Sequence, residues 1–249
     1  MSNDMETEHF DIAHYAGHKA LEELGKCFRL YTLPIRQVLY ENNIQIHSFD
    51  FKPISDIGDL ISKLTIQDLD IDEIDHINAF HFGSHLRALN KKEIEYCINS
   101  SVFFQVMMET EINDILGSDE GHFFGKWDGF LKSNNANAED LDDFKAYFNN
   151  IYKGIRNPTV HPKERIGLRN AEMFHFIHVH EYIKRGWFSS VFLSNKMHGF
   201  DMDKNENWKS MCSSHGVPDE ITKEDFPDMG KLAGSLYIKH TEGINKIDH

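Results

Sequence analysis

Cysteine is scarce in this 249-residue chain: Cys27, Cys97 and Cys212 are its only three. An odd number of widely spaced thiols excludes a disulfide framework as the basis of the fold, and without a Cys-x-x-Cys pair there is no zinc-knuckle spacing. Apolar runs are short as well. None approaches the roughly 18–20 residues needed to cross a bilayer, so no membrane contact is expected. The first eight residues are polar and acidic, without the pattern of a signal or transit peptide. Basic residues are outnumbered, 26 Lys and Arg against 40 Asp and Glu, for a net charge of −14. That balance disfavours any broad surface for nucleic acid, because a phosphate backbone would be repelled at long range. Also missing are a phosphate-cradling glycine loop and a nucleophile elbow. The expectation is a reduced, soluble, cytoplasmic protein.

What is present is aromatic and helical. Nineteen Phe, eight Tyr and three Trp supply ample core material in a chain that is 40% apolar. Apolar residues recur at helical spacing over residues 7–30, 56–64, 71–89 and 91–116, the last without Gly or Pro. A short aromatic helix follows over 123–131. Another is expected from Ala138, capped by Asn137 and started by acids, with Leu141, Phe144, Phe148, Ile151 and Ile155 along one face. Pro158 disfavours the α conformation at Asn157, so this helix should stop near Arg156. A further helix is expected over 167–185, continuing to about 193. Beyond Gly199 the pattern fades. The prediction is an all-α protein with three segments: an amino-terminal helical region (1–90), a helical core (91–198) and an irregular, acidic carboxy-terminal tail (199–249).

The charge is uneven. Between residues 153 and 169 stand Lys153, Arg156, Lys163, Arg165 and Arg169 against the single acid Glu164, a local excess of four positive charges. This island brackets the run Gly154-Ile155-Arg156-Asn157-Pro158-Thr159-Val160-His161-Pro162. Arg156 and His161 straddle a proline-enforced break, which lets both side chains converge on one spot. Arg169, followed by Asn170, and His175 form a second such pair. They are expected inside one continuous helix, about 120° apart around its axis, and are the weaker candidates. A guanidinium presents a planar fork of donors to phosphate oxygens and never loses its charge. Histidine can take or give a proton near neutral pH.

The Arg-Asn-x3-His run resembles the signature of the HEPN superfamily (higher eukaryotes and prokaryotes nucleotide-binding), an Arg followed after four to six residues by His. The resemblance covers roughly residues 91–192. It implies a HEPN-like helical bundle, often dimeric, and a metal-independent endoribonuclease of the toxin or anti-phage kind that needs no cofactor. On that reading Arg156 binds and stabilises the scissile phosphate, His161 serves as general base or acid, and Asn157 supports them or holds the turn. Lys153, Lys163 and Arg165 would contact the RNA backbone. One Arg and one His are too few to supply base, acid and charge stabilisation, which points to a homodimer with a composite site. The second reading is a catalytically silent HEPN-like module that dimerises and binds nucleotide, RNA or a partner protein. An antitoxin or other regulatory partner fits either.

Other constellations lead nowhere. His14/His18 and His81/His85 lie at i, i+4, but neither has a carboxylate at a recognised spacing, so no metal site is expected. His175, His178 and His180 cannot all share one helical face. Asp201-Met202-Asp203 opens like a calcium loop, yet its sixth and twelfth positions would be Glu206 and Cys212 rather than Gly and Glu.

Overall fold

The computed structural model describes residues 3–32, 76–160, 174–221, 226 and 228–247. Among the described residues every regular element is helical, and no helix is long and apolar enough to cross a membrane. The helices are α1 (Asn3–Thr32), α2 (His76–Leu116), α3 (Phe123–Ser133), α4 (Ala138–Tyr147), a π-helical segment (Phe148–Arg156), α5 (Asn157–Val160), α6 (Phe176–His198), α7 (Lys204–His215) and α8 (Met229–Ile247). By its contacts the chain divides into two compact units, residues 1–26 with 95–220 and residues 27–94 with 221–249.

Local sequence explains most of the boundaries in the first unit. α2 is one 41-residue helix where two were expected, because nothing between Leu89 and Lys91 can break it. It ends before Gly117, whose φ is +60°. α4 starts in a capping box: Asn137 accepts from the Asp140 N–H, and the Asp140 carboxylate accepts from the Asn137 N–H. α6 begins one residue after His175, whose Nδ1 accepts from the Ile177 N–H at 3.3 Å. His175 is therefore an N-cap and not part of a continuous helix with Arg169, which lies outside the described residues. The acidic tail is also corrected, since residues 199–249 carry α7 and α8. Asp203, set aside as a calcium ligand, caps α7 by accepting from the N–H groups of Asn205 and Glu206. Lys204 then pairs with Glu139 at 3.0 Å, tying α7 to the acidic start of α4.

The core of this unit is aromatic. Phe104, Trp127, Phe144, Tyr147, Phe176 and Trp208 are all fully buried, each contributing about 1.5–3 kcal/mol or more by burial. The Trp127 indole donates to the Met108 carbonyl at 3.1 Å, so α3 is pinned to α2 by its one polar atom. α6 packs chiefly on α4. It passes so close at Gly186 that a Cβ there would lie 2.6 Å from Phe104 and 2.8 Å from Tyr147. Gly25 in α1 serves the same purpose against the carbonyl of His215, at 2.6 Å. In the second unit Ala79, Phe82, Leu86 and Leu89 of α2 and Met229, Ala233 and Leu236 of α8 are buried. There the Tyr31 hydroxyl donates to the Glu93 carboxylate at 2.5 Å, giving a buried acid its partner.

Candidate functional site

Arg156 is the last residue of the π segment and Asn157 the first of α5. The helix does not stop at Arg156 as expected; it continues to Val160. Proline withholds an N–H and its ring crowds the carbonyl four residues earlier, here that of Gly154. The chain accommodates Pro158 by widening to the π register over the preceding turns, where the Asn157 N–H reaches back to the Tyr152 carbonyl. The Thr159 hydroxyl donates to the Ile155 carbonyl at 2.7 Å, satisfying an oxygen at the junction. Ile151 and Ile155 remain buried, so the widened segment is still anchored by its apolar face.

Around Arg156 the first unit assembles groups from three elements. Its Nη1 donates to the Asn157 side-chain oxygen at 3.1 Å. Its Nη2 lies 3.6 Å from Glu109 Oε1 on α2. Its guanidinium carbon sits 5.4 Å from the Tyr152 ring centroid, a cation–π contact. Behind Glu109 runs a buried relay. Gln105 Nε2 donates to Glu109 Oε1 at 2.9 Å, and the Tyr147 hydroxyl donates to Gln105 Oε1 at 2.5 Å. Burial pushes the Tyr147 hydroxyl well above its usual range, with Glu109 adding to the effect. It therefore stays protonated and has a proton to donate, while the Glu109 carboxylate, an acceptor, takes the Gln105 NH2; the two contacts together fix the orientation of the Gln105 amide.

Lys153 is exposed, its Nζ 4.8 Å from the Phe148 ring. Phe148 and Tyr152 stack at 5.0 Å with planes 16° apart, and Phe123 stacks on Tyr152 at 5.0 Å and 18°. The structure thus brings Lys153, Arg156 and Asn157 together on one turn. His161, Lys163 and Arg165 lie outside the described residues.

Gln105, Glu109 and Tyr147 were not among the residues the sequence singled out. A signal existed, since Gln105 and Glu109 are i, i+4 polar residues interrupting the most apolar stretch of α2. Nothing in the sequence, however, tells that they meet Arg156. Among the described residues, several other histidines find structural partners. His180 is buried, donates from Nε2 to the Pro218 carbonyl at 2.7 Å, and is pushed down to about 4 by burial. His18 Nδ1 and His215 Nε2 are 3.0 Å apart, with His14 against His18 at a ring distance of 4.3 Å. Burial, then His14 and His215, lower the pKa of His18. Among the described residues no group of three or more His, Cys, Asp or Glu is arranged to hold a metal ion.

No family model, curated protein or solved structure matches the chain.

Proposed function

We propose that this protein is a metal-independent endoribonuclease of the HEPN type, a toxin or anti-phage effector acting in the cytoplasm. The observation that carries the reading is the placement of Arg156. It stands beside Asn157 on the turn that leads into the Pro158–His161 run, with its guanidinium held from three sides and the exposed cation Lys153 close by.

In the reaction proposed, the ribose 2′-OH attacks phosphorus and the P–O5′ bond breaks. A base removes the 2′-OH proton, an acid delivers a proton to O5′, and a fixed cation stabilises the added charge on the phosphoryl oxygens. Arg156 supplies the cation, with Asn157 orienting it through their hydrogen bond. His161 supplies the base or the acid. A second His161 from a two-fold partner supplies the other, so the working form is a homodimer with the site across its interface. Lys153, Lys163 and Arg165 hold the strand. Two basic islands facing one groove would draw RNA locally despite the net charge of −14 per chain.

The Arg156→Ala, His161→Ala double variant is expected to lose cleavage of a mixed RNA pool; full activity in that variant would remove the site. A second reading is supported by the carboxylate facing Arg156: a silent module in which Glu109 occupies the cation permanently and the dimer binds RNA or a regulatory partner such as an antitoxin. Binding of RNA without cleavage, at every protein concentration tested, would favour it.

A further inference from the structure

Glu109 faces the cation of the proposed site, and the geometry of that contact is unusual in being secure on one side and loose on the other. We propose that Glu109 is an internal stand-in for the substrate phosphate: its carboxylate holds the Arg156 guanidinium in the resting protein, and an arriving phosphodiester takes its place. The inference rests on the reading of Arg156 as a phosphate-binding residue.

The loose side is toward Arg156. A tight charge-assisted N–H···O bond spans about 2.7–2.9 Å, and an arginine fork that commits to a carboxylate takes both oxygens. Here one Nη2 meets one oxygen at 3.6 Å. The secure side is toward the core. The same Oε1 accepts from Gln105 at 2.9 Å, and Gln105 is fixed in turn by Tyr147. When Arg156 turns to another anion, Glu109 therefore keeps a donor and is not left as an unpartnered charge. Arg156 keeps its other partners too, since Nη1 stays on Asn157 and the guanidinium stays over Tyr152.

Exposure makes the exchange inexpensive. The side chains of Arg156 and Glu109 retain 21% and 35% of their accessible surface, so the pair sits at the solvent boundary, where ion pairs are weak. A phosphate with two oxygens available to the fork outcompetes a single carboxylate oxygen at 3.6 Å. Glu109 thus tunes affinity by competition, whereas a permanent orienting group would raise affinity by its presence. The two roles predict opposite signs on removing the charge.

The experiment measures binding of a fluorescently labelled, 2′-O-methyl single-stranded oligoribonucleotide, which 2′-OH attack cannot cleave, to the full chain at low salt. Glu109→Gln retains the acceptor for Gln105 and removes the charge, and it is expected to bind about threefold to tenfold tighter. Arg156→Met binds more weakly, and adding Glu109→Gln to it changes affinity by less than about twofold, because the competitor has nothing left to occupy. Asp142→Asn, an exposed acid on α4, is the control for general charge and is expected to stay within about twofold. Glu109→Asp, which withdraws the carboxylate by one methylene, tightens binding by a smaller factor and serves if Glu109→Gln does not fold.

Weaker or unchanged binding by both Glu109 variants overturns the proposal. So does tightening that persists without Arg156, or absence of binding by the wild-type and Glu109→Gln proteins alike. Arg156-dependent tightening in a protein that never cleaves unmodified RNA would uphold the exchange and remove the nuclease. Cleavage of unmodified RNA with Glu109→Gln binding unchanged or weaker would do the reverse.

Discussion

Tyr147 shows how much one hydroxyl can organise. It is fully buried and its hydroxyl donates to Gln105, which in turn donates to Glu109. Tyr147→Phe would leave Gln105 Oε1 buried without a donor and is expected to lower stability by about 1–3 kcal/mol in urea titrations. Its effect on RNA binding should be smaller than that of Arg156→Met, since Glu109 is loosened but Arg156 remains. Glu111 makes a different prediction. As a residue it is only half-buried, but its carboxyl group is enclosed: Oε1 accepts from Ser190 at 2.6 Å and Oε2 has no hydrogen-bond partner among the described residues. Burial pushes it up from 4.5 to about 7. The folded state therefore holds a proton that the unfolded state releases between these values, so this group's contribution falls as pH rises from about 4.5 to 7. Glu111→Gln is expected to be near neutral at pH 4.5 and to stabilise by about 1–3 kcal/mol at pH 8. Equal effects at both pH values would show that the carboxyl titrates normally.

At the level of elements, α6 passes close to both α2 and α4 at Gly186. Gly186→Ala drives a methyl to within 2.6 Å of Phe104 and 2.8 Å of Tyr147, and a loss of about 1–3 kcal/mol in thermal or urea unfolding is expected. The segment after α7 is held to α6 by His180, whose Nε2 donates to the Pro218 carbonyl and whose ring packs 5.3 Å from Trp208. Because its pKa falls from 6.5 to about 4, the unfolded chain takes up a proton first on acidification. Its contribution is complete above pH 6.5 and lost as pH falls toward 4, roughly 2–3 kcal/mol in all. His180→Phe should abolish that acid-side slope, and an unchanged slope would assign it to other groups.

How far the sequence could be read follows element by element. α4 was legible because its cap, acids and apolar stripe agree. α7 was not, since only Trp208 and Cys212 of its twelve residues are buried and the stripe is too thin to see. α2 was read as two helices because the polar run Asn90, Lys91 and Lys92 interrupts its apolar pattern, yet its buried residues Leu86, Leu89, Glu93 and Cys97 carry one face through that run at steps of three and four. Pro158 was read correctly as a disturbance and wrongly as a stop, because a proline can be absorbed by widening the turns before it. At the site, the adjacency of Arg156 and Asn157 was legible in the sequence, whereas their meeting with Glu109 depends on packing between α2 and the π segment, which no local pattern encodes.

For the whole molecule, Glu111 and His180 tilt stability in opposite directions over nearly the same pH window. The wild-type chain should thus show a shallow profile between about pH 4.5 and 6.5, and Glu111→Gln should steepen it by exposing the His180 slope. Charge acts at the same scale. An acidic chain that handles RNA must do so through a local basic cleft, so binding is expected to weaken with salt much as a few phosphate contacts would require, and not to improve as screening reduces the overall repulsion. The most direct test of the proposed chemistry is mass spectrometry of the RNA ends made from a mixed single-stranded pool in EDTA, for the wild-type and His161→Ala proteins side by side. Expected are 2′,3′-cyclic phosphate and 5′-OH ends from the wild-type protein, reduced roughly 10²-fold or more in His161→Ala. Undiminished cleavage by His161→Ala, or 5′-phosphate ends that appear only with divalent metal, would contradict it.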